Sequence, residues 1–106
     1  MDRKTVLFAD DQLDIVEDVI NRLKGSYNVQ TAICGNDAVE RINRGGLDLI
    51  ILDGSMPPGP GGASIAKQVR EQYPNMPVIL QSGEHKKYQD LERIGVKVMS
   101  KFDWVE

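Results

Sequence analysis

Segments typical of strands and of helices alternate along this chain, and the alternation constrains the fold more than any other feature. Short apolar runs bounded by turn residues predict strands near residues 4–9, 27–32, 48–52, 77–81 and 96–100. Apolar residues at helical spacing predict helices near 12–24, 36–44 and 63–73, then a short helix marked by Tyr88, Leu91 and Ile94. This order implies a parallel sheet with helices on both faces. We therefore expect one doubly wound α/β domain over residues 1–106.

Length and composition exclude several classes of protein. The 106 residues suffice for one domain, and a hydrophobic share of 41% with 27% charged residues indicates a folded globule. The net charge of −3 argues against a nucleic-acid partner or an anionic membrane surface. No segment approaches the ~20 apolar residues of a membrane span, and the N-terminus lacks the apolar core of a signal peptide. A single cysteine, Cys34, leaves no internal disulfide. We expect a cytoplasmic protein.

Carboxylates follow two of the predicted strands. Asp53 ends the apolar run at 49–52 and precedes a Gly/Pro-rich loop, while Asp10 and Asp11 follow the first strand. The carboxyl ends of parallel strands form the functional edge of such sheets, so the three side chains are expected to converge. Three like charges repel, and a hard divalent cation with oxygen ligands relieves the repulsion. The alternatives are that Asp10 and Asp11 only cap the first helix and that Asp53 is an ordinary loop residue.

Five features in order resemble the receiver domains of two-component response regulators. They are the pair Asp10-Asp11, Asp53, the pair Met56-Pro57, Ser82 with its small neighbour Gly83, and Lys101 after the fifth strand. The resemblance covers essentially the whole chain, and of the elements of a receiver only the last helix has no counterpart in it. It implies a flavodoxin-like sheet with strand order 2-1-3-4-5, helices on both faces, and a fifth helix that is missing or truncated.

The resemblance implies a phosphoryl switch. Asp53 would accept a phosphoryl group from a histidine kinase or a histidine phosphotransfer protein. Asp10, Asp11, Asp53 and the backbone carbonyl of Ser55 would hold Mg²⁺, with Mn²⁺ as an alternative metal.

The remaining site residues would act on the phosphoryl group or on a partner. Ser82 and Lys101 would bind phosphoryl oxygens, and Lys101 would pair with Asp53 in the empty site. Ser55 and Glu84 would tune hydrolysis. Ile15 would dock the kinase, although ordinary core packing explains it equally well. The protein would be a switch rather than a turnover enzyme, and its output would be phosphorylation-dependent binding to an unknown protein.

Three departures from the receiver pattern support a second reading. Phe102 follows Lys101 where receivers usually have proline, and Val98 stands where an aromatic switch residue is common. The missing last helix would bare an apolar sheet face, which Phe102 and Trp104 would cover or through which a homodimer would form. These features favour a pseudo-receiver that binds a protein without phosphate control.

Two further alternatives carry less weight. A nucleotide- or flavin-binding domain is disfavoured because no Gly-x-Gly-x-x-Gly follows the first strand. The only histidine, His85, is expected to be an exposed residue of the fourth helix. Lys101 could also be a solvated surface lysine.

Overall fold

Five parallel strands form one sheet in the computed structural model, which describes residues 3–101. The strands are β1 (Thr5–Ala9), β2 (Asn28–Ala32), β3 (Leu49–Asp53), β4 (Val78–Ser82) and β5 (Lys97–Ser100). They lie in the order β2-β1-β3-β4-β5. The predicted fold class and strand order are confirmed, and the alternating segment near 27–32 is an edge strand as its pattern indicated.

The central strands are buried because helices cover both of their faces. In β1 and in β3 the last four residues are buried. Continuous apolar runs are typical of strands in parallel sheets, where no face meets water. Both runs therefore reach the carboxyl edge of the sheet with little freedom to shift.

Four helices connect the strands within the described residues. They are α1 (Leu13–Leu23), α2 (Gly35–Arg44), α3 (Gly62–Gln72) and a 3₁₀ helix (His85–Ile94). The last of these is the predicted short helix, for which no helix type was predicted. Its apolar markers Tyr88, Leu91 and Ile94 recur every three residues, which is the 3₁₀ period rather than the α period. Leu91 is buried and Ile94 is exposed.

The two faces of the sheet are packed unequally. On one face a large apolar cluster joins α2, α3 and the 3₁₀ helix to the strands, with Ile42, Ile65 and Leu91 among its members. On the other face a smaller cluster packs Val16 and Val19 of α1 against the sheet. Leu13, the first residue of α1, is 61% exposed and lies outside this cluster.

Predictions about the C-terminal end lie outside the described residues. A fifth helix would begin after Lys101, and Phe102 and Trp104, with the Lys101–Phe102 peptide bond, belong to residues 102–106. Within residues 3–101, no helix is long and apolar enough to cross a bilayer.

Candidate functional site

Three carboxylates meet where β1 and β3 end. Ala9 pairs with Leu52 in the sheet, so Asp10 and Asp53 follow at neighbouring positions. One carboxylate oxygen each from Asp10, Asp11 and Asp53 lies within 4.8 Å of the others. Asp10 is fully buried and Asp53 is 6% exposed, while Asp11 faces solvent. The sequence-predicted convergence of these side chains is therefore the geometry observed.

Lys101 brings a positive charge to the buried carboxylates from the end of β5. Its Nζ donates to Oδ2 of Asp53 at 3.2 Å. The same Nζ is 3.4 Å from Oδ1 and 3.2 Å from Oδ2 of Asp10, the latter an ion pair without hydrogen-bond geometry. Only 12% of the Lys101 side chain is exposed. Lys101 is thus a member of the site and not a solvated surface residue.

The charges of the site do not cancel, and the pKa of Asp53 reflects this. Burial, and then the neighbouring Asp10 carboxylate, raise the pKa of Asp53 from its ordinary value of 3.8 to about 6, although Lys101 acts in the opposite direction. Burial lowers the pKa of Lys101, but Asp10 and Asp53 more than compensate and raise it overall. The Lys101 ammonium is paired with Asp10 and Asp53, and Asp11 adds a third negative charge beside them. The site therefore favours additional positive charge.

Asp10 is held by its own turn and retains one carboxylate oxygen for another ligand. Its Oδ1 accepts the backbone N–H of Gln12 at 2.9 Å. The N-cap residue of α1 is Gln12, which makes no side-chain capping bond, so neither Asp10 nor Asp11 is the cap that the alternative proposed; Asp10 binds the backbone just before the helix. Its buried Oδ2, however, accepts no hydrogen bond in the described part of the chain. A buried carboxylate oxygen beside two further carboxylates is a suitable ligand for a hard cation.

Ser82 and Glu84 lie beside the acidic cluster. Ser82 pairs with Ser100, the residue before Lys101, and is 8% exposed. Its Oγ accepts the backbone N–H of Glu84 at 3.0 Å, and Glu84 itself is exposed. A side chain added at Gly83 would meet no atom within 4 Å, so the approach past this residue is open.

The loop after Asp53 is fixed by close backbone contacts. Gly54 N–H donates to the carbonyl of Gln81, and Gly62 N–H donates to the carbonyl of Gly54. A Cβ at Gly62 would overlap the carbonyl oxygen of Asp53, so only glycine allows α3 to start so close to the strand. Ser55 is exposed within this loop. The backbone of Asp53 is therefore clamped on both sides.

The same loop also satisfies the N-terminus of α2. Cys34, the N-cap residue, makes no side-chain capping bond. Instead Gly35 N–H donates to the carbonyl of Met56 and Asn36 N–H donates to that of Pro58. The Gly/Pro-rich loop is consequently a part of the packed structure.

Two residues of the site were not singled out from the sequence. Gln12 accepts a hydrogen bond at 2.6 Å from Lys101 Nζ through its Oε1. Gln81 pairs with Asp53 in the sheet and is fully buried, and neither polar atom of its side chain has a partner in the described residues. The polar residue inside the apolar run of β4 was the available signal for Gln81. For Gln12 only its place after the acidic pair was informative.

Two other candidates take no part in the acidic cluster. His85 begins the 3₁₀ helix and is half-buried rather than exposed, and the cluster of potential metal ligands in residues 3–101 does not include it. Ile15, on α1, is half-buried and packs against the smaller apolar cluster, which agrees with a packing role and leaves part of its surface accessible.

Solved structures with the same fold are known from several bacteria. A Francisella response regulator receiver domain superposes with a TM-score of 0.83 at 27% identity, covering 93% of this chain and 84% of that one. The response regulator TrrA of Thermotoga maritima, solved in complex with Mg²⁺-BeF, gives 0.80 at 29% identity over 96% and 92%. The chemotaxis protein CheY4 of Vibrio cholerae gives 0.77 at 30% identity over 90% and 82%.

A family model agrees with these structural matches. The model described as the response regulator receiver domain matches residues 6–101, which include both buried carboxylates and the lysine. Receiver domains of this family are phosphoacceptor switches that work with histidine kinases or phosphotransfer proteins. We conclude that the chain belongs to the response regulator receiver domain family.

Proposed function

We propose that this protein is an active receiver in which Asp53 accepts a phosphoryl group from a phosphohistidine. One observation carries the proposal: Asp53 lies among carboxylates within 4.8 Å of one another, while Lys101 Nζ is 3.2 Å from its Oδ2. An ion pair that served only to stabilise the fold would need one carboxylate for one lysine, whereas three carboxylates meet here. The excess of buried negative charge supports a site built for a cation and a phosphoryl group.

The transfer itself requires little of the protein beyond position and charge. An oxygen of the Asp53 carboxylate attacks phosphorus, the phosphorus–nitrogen bond breaks, and its electron pair returns to the donor imidazole. The product is an acyl phosphate, which is labile and therefore suits a reversible signal. Phosphoryl transfer is accelerated mainly by alignment and by compensating positive charges. The clamped backbone of Asp53 supplies the alignment.

The donor atoms of the acidic cluster fit a divalent cation. Asp10, Asp11, Asp53 and the backbone carbonyl of Ser55 would hold Mg²⁺, or Mn²⁺ in its place. The buried Oδ2 of Asp10 supports this assignment, because it accepts no hydrogen bond in the described residues and is already paired with a positive charge, the Lys101 ammonium at 3.2 Å. When bound, the cation neutralises charge on the transferring group. The bound Mg²⁺-BeF of the similar TrrA structure agrees with the same chemistry here.

The residues on β4 and β5 would respond to the phosphoryl group. Lys101 would exchange its contact with Asp53 for one with a phosphoryl oxygen. The Ser82 hydroxyl would give up its hydrogen bond from the Glu84 N–H and donate to another phosphoryl oxygen. Ser55 and Glu84, both exposed at the mouth of the site, would set the rate of hydrolysis. Movement of Ser82 would then repack the 3₁₀ helix and β5, a shift between two states of the kind that phosphate switches use.

The proposed partners follow from membership of the receiver family, whose model matches residues 6–101. We infer that the accessible part of Ile15 on α1 contacts the kinase or phosphotransfer protein. The output would be phosphorylation-dependent binding of another protein. The sheet face that carries α1 would support a homodimer, because the described helices cover it less fully than the other face.

Intact mass after incubation with acetyl phosphate tests the proposal. We expect one added phosphoryl group in the presence of Mg²⁺, none after chelation, and none in Asp53→Asn. Asp14→Asn, which removes an exposed carboxylate from α1, is the matched control and should label like the wild type. Absence of an adduct in folded wild-type protein would instead favour a pseudo-receiver that binds its partner without phosphate.

A further inference from the structure

We propose that Gln12 is a positioning residue that holds the Lys101 ammonium at the phosphoacceptor site through its side-chain amide oxygen. This inference rests on the proposed phosphoacceptor function and adds a residue to its machinery. The contact joins positions 89 residues apart in the chain, and at 2.6 Å it is the shortest of the hydrogen bonds made by Lys101.

The backbone of Gln12 is fixed on both sides, so its side chain starts from a defined place. Its N–H donates to Oδ1 of Asp10, and its carbonyl accepts from the N–H groups of Ile15 and Val16. These bonds attach the backbone of Gln12 to Asp10 on one side and to the first turn of α1 on the other. Only the side chain remains free, and it reaches across the edge of the sheet to Lys101. Gln12 is exposed, so the contact lies at the solvent side of the site, and only the side chain has to lose conformational freedom when it forms.

The chemistry of the two groups determines which atom of the amide is used. A lysine ammonium has three donors and no acceptor, so the amide must present its oxygen. The three donors then match three acceptors, namely Asp10, Gln12 and Asp53. Hydrogen bonds that involve a charged group are stronger than neutral ones.

Among these three acceptors, Gln12 alone is not a proposed ligand of the cation or of the phosphoryl group. Asp10 and Asp53 would be engaged when the site is loaded, which changes their hold on the ammonium. The neutral amide keeps its oxygen and would remain attached to Lys101 while the lysine exchanges a carboxylate for a phosphoryl oxygen. Such a tether is useful because β5 is only partly buried and holds the lysine weakly by packing.

A first experiment observes the contact without metal or phosphodonor. The ammonium groups of the lysines are recorded by ¹H–¹⁵N NMR, and the Lys101 signal is identified by its loss in Lys101→Met. Gln12→Met keeps the length of the side chain and removes the acceptor, and it should shift or broaden the Lys101 signal. Gln68→Met, at an exposed glutamine on α3, should leave it unchanged. Gln12→Glu keeps an acceptor and should retain a protected signal.

A second experiment measures the effect on phosphoryl transfer. The rate constant for labelling by acetyl phosphate at saturating Mg²⁺ should fall about fivefold in Gln12→Met, the size expected for one hydrogen bond. In a Lys101→Met background, the same substitution should have no further effect, because Gln12 acts only through the lysine. Mg²⁺ affinity should change less than about twofold.

The outcomes separate this inference from the proposed function. A wild-type labelling rate in Gln12→Met, or an equal loss with and without Lys101, would overturn the positioning role. If the wild type itself is never labelled, the proposed function fails and the catalytic part of this inference fails with it. The NMR comparison would still show whether Gln12 holds the lysine.

Discussion

The site is assembled from two halves that are held differently. The β1–β3 half, with Asp10, Asp11 and Asp53, follows strands whose last four residues are buried. The β4–β5 half consists of Ser82, Lys101 and the 3₁₀ helix. In β5 no residue is fully buried, and the 3₁₀ helix runs for ten residues, although such helices are uncommon beyond three or four.

The half that is better packed is the one with the less balanced charges. In the well-packed β1–β3 half, burial and then the neighbouring Asp10 carboxylate raise the pKa of Asp53, whereas the loosely packed half contributes a lysine with three acceptors. A rigid backbone can hold groups that repel one another because it resists their separation. A compensating cation on a less buried strand can move when the charge changes. We therefore expect Asp53 to stay in place when the charge of the site changes, and any rearrangement to occur at Lys101, Ser82 and the 3₁₀ helix.

The largest expected effect comes from breaking the backbone clamp of the β1–β3 half. In Gly62→Ala the new methyl group would overlap the carbonyl oxygen of Asp53. We expect a loss of about 3 kcal/mol in the free energy of unfolding, measured by urea denaturation. Gly25→Ala is the control, since a Cβ there meets nothing within 4 Å. Equal unfolding midpoints for the two variants would show that the backbone beside Asp53 is not tightly packed.

A second effect concerns the stability lost when Asp53, in the same half, is ionised. Because the pKa of Asp53 is raised to about 6 from 3.8, the folded state binds the proton more tightly than the unfolded chain does. The contribution of Asp53 to wild-type stability therefore falls as pH rises between these two values. Without metal, the free energy of unfolding of Asp53→Asn should be about 2 kcal/mol higher than that of the wild type at pH near 7.5.

The pH profile distinguishes this cause from a general gain in stability. The advantage of Asp53→Asn should shrink as pH falls through about 6 and nearly vanish below about 3, where the folded and the unfolded wild type both hold the proton. Urea unfolding at several pH values measures it, with Asp14→Asn as the reference variant. A difference that does not depend on pH would contradict the raised pKa.

Adding a cation should remove part of the same repulsion. About 10 mM Mg²⁺ at neutral pH is expected to stabilise the wild type by about 1 kcal/mol, since a ligand that binds only the folded state shifts the unfolding equilibrium. Asp11→Asn should abolish the effect, and Glu17→Gln, on the exposed side of α1, should keep it. Thermal unfolding with and without the metal is the measurement. Equal stabilisation in both variants would place the cation elsewhere.

The smallest effect tests the packing of the β4–β5 half. Gln81 is fully buried with both side-chain polar atoms unpartnered in the described residues, which disfavours the folded state. Gln81→Leu should therefore raise the free energy of unfolding by about 1 kcal/mol, whereas Gln68→Leu on the surface of α3 should change it by less than about 0.5. Destabilisation by Gln81→Leu would indicate that the buried amide is satisfied in solution.

Much of the fold and the acidic half of the site could be predicted because they depend on local patterns. Apolar runs fixed the strands, and the parallel order brought Asp10 and Asp53 to one edge. The helix after β4 was predicted without a type, and the three-residue spacing of Tyr88, Leu91 and Ile94 agrees with the 3₁₀ helix observed. The prediction that His85 is exposed was wrong, because a local pattern does not show how a helix packs against its surroundings.

The sequence by itself determined the alternating elements, the sheet and the carboxylates at the ends of two strands, since each follows from residues that are neighbours in the chain. The pairing of Lys101 with Asp53 was expected from the family resemblance, but its contacts with Asp10 and Gln12, and the burial of Gln81 with no hydrogen-bond partner in the described residues, are visible only in the tertiary structure. The physical reason is that these contacts join residues far apart in the chain. Their formation depends on strand register and packing, which no local pattern records.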